Sequence, residues 1–179
     1  MKRFFTTERL CRAGVIAALY TVLTYVIAPL AFGPIQIRPA EALCILPLFF
    51  IEAIPALYIG CMLSNLTSPF FVYDVLLGSL ATLLAAIVTY MVGRFFKKSF
   101  PKLFLGGLAP VLFNTLIIPL IIVFLMPNGA EGYSSIATAY WMTALSILLS
   151  EATVVYGLGT PLYFALQNFK PNKKRNHRK

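Results

Sequence analysis

Few residues in this chain could carry chemistry. Its 179 residues hold six acids, Glu8, Glu41, Glu52, Asp74, Glu131 and Glu151, and one histidine, His177, in a basic C-terminal run. An intramembrane protease or a zinc enzyme needs histidine, and His177 is badly placed to supply it. No G-x-x-x-x-G-K-[ST] phosphate loop is present, so ATP hydrolysis by that route is excluded. Cys11, Cys44 and Cys61 are odd in number and lack ligand spacing, and they read as reduced packing residues. Neither a metal nor a cofactor is expected. What remains is recognition by carboxylates, amides and one isolated arginine. Glu151, between Ser150 and Ala152 with no basic residue within a helical turn, is the leading candidate. Gln36, Arg38, Glu41, Asp74 and Asn114 complete the polar set.

Most of these have a plainer alternative. Arg38 and Glu41 stand three apart and could simply pair at a helix start. Asp74 could be an N-cap, and Asn114 could bond a neighbouring helix or use the carbonyl that Pro119 frees. Glu52 reads as a turn residue on the inner side. Tyr133, Tyr140 and Trp141 suit either interfacial anchoring or stacking on a flat ligand.

The elements that position these residues must lie in a membrane. Apolar residues make up 59% of the chain and charged ones 12%, against about 45–50% and 25% in soluble domains. With mean hydropathy +0.82, the apolar excess faces lipid. The formal charge of +9 would suggest nucleic acid in a soluble protein, but its distribution points to topology. Fourteen of fifteen basic residues fall at 2–12, 94–102 and 170–179, leaving Arg38 alone. The positive-inside rule puts all three clusters, and so both termini, in the cytoplasm. Without those clusters the remainder carries Arg38 against six acids, a net −5.

Apolar stretches run at about 11–32, 40–66, 72–93, 103–126 and 136–169. Five crossings cannot return the C-terminal cluster to the N-terminal side. The stretch 40–66 is long for one span and holds Pro47, Glu52 and Pro55, so it is expected to split near Ile51–Ile54 into two short helices. The prediction is an all-α integral membrane protein with six transmembrane helices, the second and third short and forming a hairpin. Residues 1–169 form one domain and 170–179 a basic cytoplasmic tail. At 1.5 Å per residue Glu151 lies about 28 Å above Lys170, in the outer half, and Asp74 about 30 Å from Arg94. Polar groups from four segments then converge towards the outside. No internal repeat suggests an inverted-repeat carrier. Small residues Ala13, Gly14, Ala17 and Ala18 form a close-packing face on the first span, suited to internal packing or to a partner subunit.

The run Gln36-Ile-Arg38-Pro-Ala-Glu41-Ala-Leu43, then Gly60-Cys61 with Asn65, then Asp74-x-x-x-Gly78-Ser-x-Ala-Thr82, resembles the QueT family, over roughly residues 12–165. Ser150-Glu151-Ala152 and Gly159-x-Pro161-Leu162 fit as well, while Pro39 stands where serine is expected. Members are substrate-binding (S) components of energy-coupling factor (ECF) importers. The resemblance implies a six-helix fold in the bacterial plasma membrane, a ligand site under the first outer loop, and docking through Ala13 and Ala17 onto a transmembrane coupling subunit with two ATPase subunits. It implies no catalysis and no nucleic-acid partner. The implied substrate is a queuosine precursor such as 7-aminomethyl-7-deazaguanine; the alternative is an S component or self-standing carrier for another small heterocycle or vitamin. On that substrate Glu151 would accept the paired N–H and amino groups, Asp74 or Glu41 would face the aminomethyl cation, Gln36 or Asn114 would reach the ring carbonyl, and Tyr140 or Trp141 would cover the ring.

Overall fold

The computed structural model describes residues 6–31, 37–68, 71–125 and 129–168. Among them there is no strand, and six helical segments of ten residues or more follow in order. These are α1 (Thr7–Val26), a 3-10 segment (Pro39–Leu48), α2 (Ala53–Asn65), α3 (Asp74–Phe95), α4 (Ser99–Leu125) and α5 (Ile136–Asn168). The four longest, α1, α3, α4 and α5, are long and apolar enough to cross a membrane. Side-chain oxygens of Thr6 and Ser135 cap α1 and α5 by accepting from the N–H groups of Arg9 and Thr138.

The stretch 40–66 does divide in two, but the break falls at 49–52, slightly before the expected position. Pro55 sits in the first turn of α2, where its missing N–H costs nothing, so it opens that helix rather than ending one. The first half is also wound more tightly than expected. At about 2.0 Å per residue the ten residues of the 3-10 segment rise roughly 20 Å, matching the thirteen residues of α2 at about 1.5 Å. Both fall short of a hydrocarbon core about 30 Å thick. They must therefore be shielded by protein, and Ala40 through Leu48 are all buried. The 3-10 segment touches all five α-helices and forms the centre of the bundle.

Around it, α1 packs on α2 at Gly60. A Cβ there would lie 2.9 Å from Tyr20 Cβ and 3.0 Å from the Ala17 carbonyl, so only glycine allows this approach. Ala17 is thus turned inward and Ala13 packs beside the same core, whereas Gly14 and Ala18 are exposed. Large apolar side chains such as Val22, Leu76, Leu116 and Leu149 cover the outside of the spans, a lipid-facing surface.

Arg12, Lys102 and the last described turn of α5 gather at one end. Arg12 pairs with Glu52 in the 49–52 turn at 3.0 Å, also bonds Glu8, and lies 5.4 Å from the Phe50 ring centre. Lys102 Nζ stands 5.0 Å from the ring of Phe49 in the same turn. Gln167, in the last turn of α5, donates to Ser99 Oγ at 2.6 Å. Glu8 and Glu52 therefore belong to the basic end. The rest of the molecule keeps four acids against Arg38, a net −3 rather than the −5 expected from sequence.

Candidate functional site

A 3-10 helix has three residues per turn, so side chains at i and i+3 stack in a column. Arg38, Glu41 and Cys44 follow that spacing from the cap of the 3-10 segment inward. Glu41 is 1% exposed, and both its oxygens have protein donors: Tyr20 Oη on α1 donates to Oε1, and Cys44 Sγ to Oε2 at 3.0 Å. Arg38 is buried and its Nε donates to the Ala31 carbonyl at 3.1 Å. Glu41, Asp74 and Tyr20 lie within electrostatic reach of its guanidinium.

Glu151, on α5, has a different environment. Asn114 Nδ2 on α4 donates to its Oε1 at 2.9 Å, while Oε2 is buried without any hydrogen-bond partner. Glu41 and Arg38 are the charges that act on it. A buried acceptor left unpaired costs about 1–3 kcal/mol, and more when charged. Glu151 is therefore the open carboxylate of the cluster, and a donor arriving at Oε2 recovers that cost. Asn114 is fifteen residues from Ser99 and eleven from Leu125, so the pair lies near mid-span, slightly towards the Leu125 end of α4. α5 is interrupted at Leu158 and at 33 residues is longer than the bilayer is thick, so it must tilt or protrude.

A third group closes the other side. Asp74 Oδ2 accepts from Ser68 Oγ, so this carboxylate ties the chain before α3 rather than simply capping a helix. The first turn of α3, Asp74–Gly78, is a π-turn in which the Ser79 N–H returns to the Asp74 carbonyl. The same carbonyl accepts from Asn65 Nδ2 at 2.8 Å. Cys61 Sγ accepts from Asn65 Nδ2 at 3.4 Å and from Thr82 Oγ1 at 3.3 Å. The Asp74-x-x-x-Gly78-Ser79 motif, Asn65 and Thr82 thus form one structural unit.

Of the residues expected at the site, Arg38, Glu41, Asp74, Asn114 and Glu151 are all buried in this interior. Gln36 lies outside the described residues. Asn114 serves Glu151 and not a carbonyl freed by Pro119. Tyr140 Oη donates to the Leu116 carbonyl at 3.3 Å, and Trp141, 67% exposed, points away from the cluster. Sequence reasoning missed Tyr20, named Asn65, Cys61 and Thr82 as motif residues without a role at the site, and read Cys44 only as packing. An asparagine inside an apolar helix was the available signal, and Tyr20 offered none. Among the described residues, no group of three histidine, cysteine or acidic side chains could hold a metal ion.

Lipid-facing helices closed round buried carboxylates define a multi-pass cell-membrane protein, and the family match places it in the transport class. The sequence profile of the QueT transporter family matches residues 10–168, and the chain belongs to that family. One curated relative is the queuosine precursor transporter QueT of Lactococcus lactis subsp. cremoris (strain MG1363), 36% identical over 89 residues. The match covers 49% of this chain and 52% of the relative, so the chain spans about half of that protein's length. No solved structure matches.

Proposed function

We propose that this chain is the substrate-binding component of an ECF-type importer for a queuosine precursor, 7-aminomethyl-7-deazaguanine or a close relative. The observation that carries the reading is Glu151, a buried carboxylate with one oxygen held by Asn114 and the other unpaired. A 7-deazaguanine presents a ring N–H and an amino group side by side, and a carboxylate accepts both in a charge-assisted pair. Asp74 and Glu41 supply negative surroundings for the aminomethyl cation, Arg38 tempers their sum, and Gln36 is assigned to the ring carbonyl. The L. lactis relative named as a queuosine precursor transporter supports this substrate.

In the proposed topology six segments cross with both termini in the cytoplasm, supported by the gathering of Arg12, Lys102 and the last turn of α5 at one end. The chain is not an enzyme: ATP hydrolysis belongs to two partner ATPases acting through a transmembrane coupling subunit. A partner helix would dock along α1, where Gly14 and Ala18 are exposed beside an apolar groove of about 500 Å³ between α1, the 3-10 segment and α5. The test is competition binding to the detergent-purified protein with a panel of deazaguanines and vitamins. A shift with 7-aminomethyl-7-deazaguanine is expected. A shift only with another compound overturns the substrate, and failure to co-purify with a coupling subunit and ATPases overturns the ECF assignment.

A further inference from the structure

Asn65 is the last residue of α2, is 1% exposed, and is held from one side only. A backbone carbonyl can only accept, so the amide group facing the Asp74 carbonyl at 2.8 Å must be Nδ2. That settles the orientation of the amide and turns Oδ1 the other way, where it is buried with no partner. The fixed geometry has a supporting shell: Cys61 Sγ receives the same Nδ2, and Thr82 donates to that sulfur. Gly78 leaves the space, since a Cβ there would meet Asn65 Nδ2 at 3.2 Å. In the same π-turn Ser79 Oγ is also buried and unpartnered. Rigid, neutral and acceptor-only on its free side, Asn65 is built to read a hydrogen-bond donor.

We propose that Asn65 is a specificity-determining residue whose Oδ1 accepts a hydrogen bond from the N–H of the five-membered ring of the bound base. This rests on the deazaguanine reading above. Of the donors on such a base, the six-membered-ring N–H and the amino group match the carboxylate of Glu151, and the ammonium matches the remaining acids. The five-membered-ring N–H is the donor left over, and being uncharged it matches an amide oxygen. A nucleoside carries its sugar on that nitrogen, so the site takes the free base.

The discriminating probe is an isosteric pair: 7-aminomethyl-7-deazaguanine and its furo analogue, in which ring oxygen replaces that N–H. In competition binding the wild-type protein prefers the N–H compound by at least about tenfold, the effect of one unpaired buried acceptor. Asn65→Leu brings the two compounds within about twofold of each other. Equal binding of both by the wild type overturns the proposal, as does a preference that survives intact in Asn65→Leu. Gly78→Ala presses on the amide without removing a polar group. It is expected to shrink the preference, and an unchanged ratio counts against the proposal even where Asn65→Leu does not fold. If the wild type binds neither compound, the deazaguanine reading itself fails and takes this inference with it.

Discussion

Replacing Glu151 by glutamine changes one oxygen to an amide nitrogen at nearly constant volume. In the empty protein the exchange removes a buried carboxyl oxygen that has no partner, so folding stability should hold or rise slightly. In the liganded protein the effect reverses. Two charge-assisted acceptors become one neutral acceptor and one donor, and that donor faces a donor on the ligand. At about 1.5–3 kcal/mol for a hydrogen bond to a charged group, losing one bond and weakening the other removes roughly 3 kcal/mol, close to 150-fold in affinity at 1.4 kcal/mol per decade. Titration calorimetry or competition binding in detergent reads the loss. Thermal unfolding reads the stability, and the ligand-induced rise in Tm should vanish while the empty protein's Tm does not fall. Affinity within about threefold of wild type, under roughly 0.7 kcal/mol, refutes the assignment of Glu151 as the recognising carboxylate.

Glu41 should behave in the opposite sense, because its oxygens already serve Tyr20 and Cys44. Tyr20→Phe leaves a buried acceptor short of a donor and is expected to cost about 1–3 kcal/mol of stability, seen as a lower Tm; an unchanged Tm removes the Tyr20–Glu41 bond from the account. Gly60→Val drives side-chain atoms into Tyr20 and the Ala17 carbonyl and should sharply lower folded yield, while Gly14→Ala, whose Cβ meets nothing within 4 Å, is neutral in the same size-exclusion assay. Arg12→Ala strands Glu52, which is only 10% exposed, and should cost about 1–3 kcal/mol; adding Glu52→Gln should restore part of it, and a double variant no better than the single one denies the pairing.

The bundle was readable from sequence where charge and length constrain it. Three basic clusters separated by apolar runs leave few arrangements, and the doubled-back stretch 40–66 follows from them. The winding of Pro39–Leu48 was not readable, since an uninterrupted apolar run has no period to distinguish three residues per turn from 3.6. With the winding went the column that carries Arg38, Glu41 and Cys44, so Cys44 looked like packing. Glu151 and Asn114 were legible because a polar residue in a span needs a reason. Tyr20 was not, because tyrosine is at home in membrane helices as an anchor and only the fold turns its hydroxyl onto Glu41. Asn65 stood in a recognised motif, but its role depends on which end of the amide is occupied, and that is decided by a carbonyl nine residues along the chain.

The mid-span level of the Glu151–Asn114 pair gives the site an electrical address. One elementary charge crossing the whole membrane exchanges about 2.3 kcal/mol per 100 mV; a ligand whose ring reaches mid-span while its ammonium stays beside Asp74 and Glu41, nearer the mouth, exchanges less than half of that. In the proposed orientation the interior-negative potential of a living cell pulls such a ligand inward. Affinity would then rise by something under about sevenfold per 100 mV for a monocation and not at all for a neutral base. Protein in detergent has no such field, so affinities measured there understate retention of a charged substrate in an energised membrane.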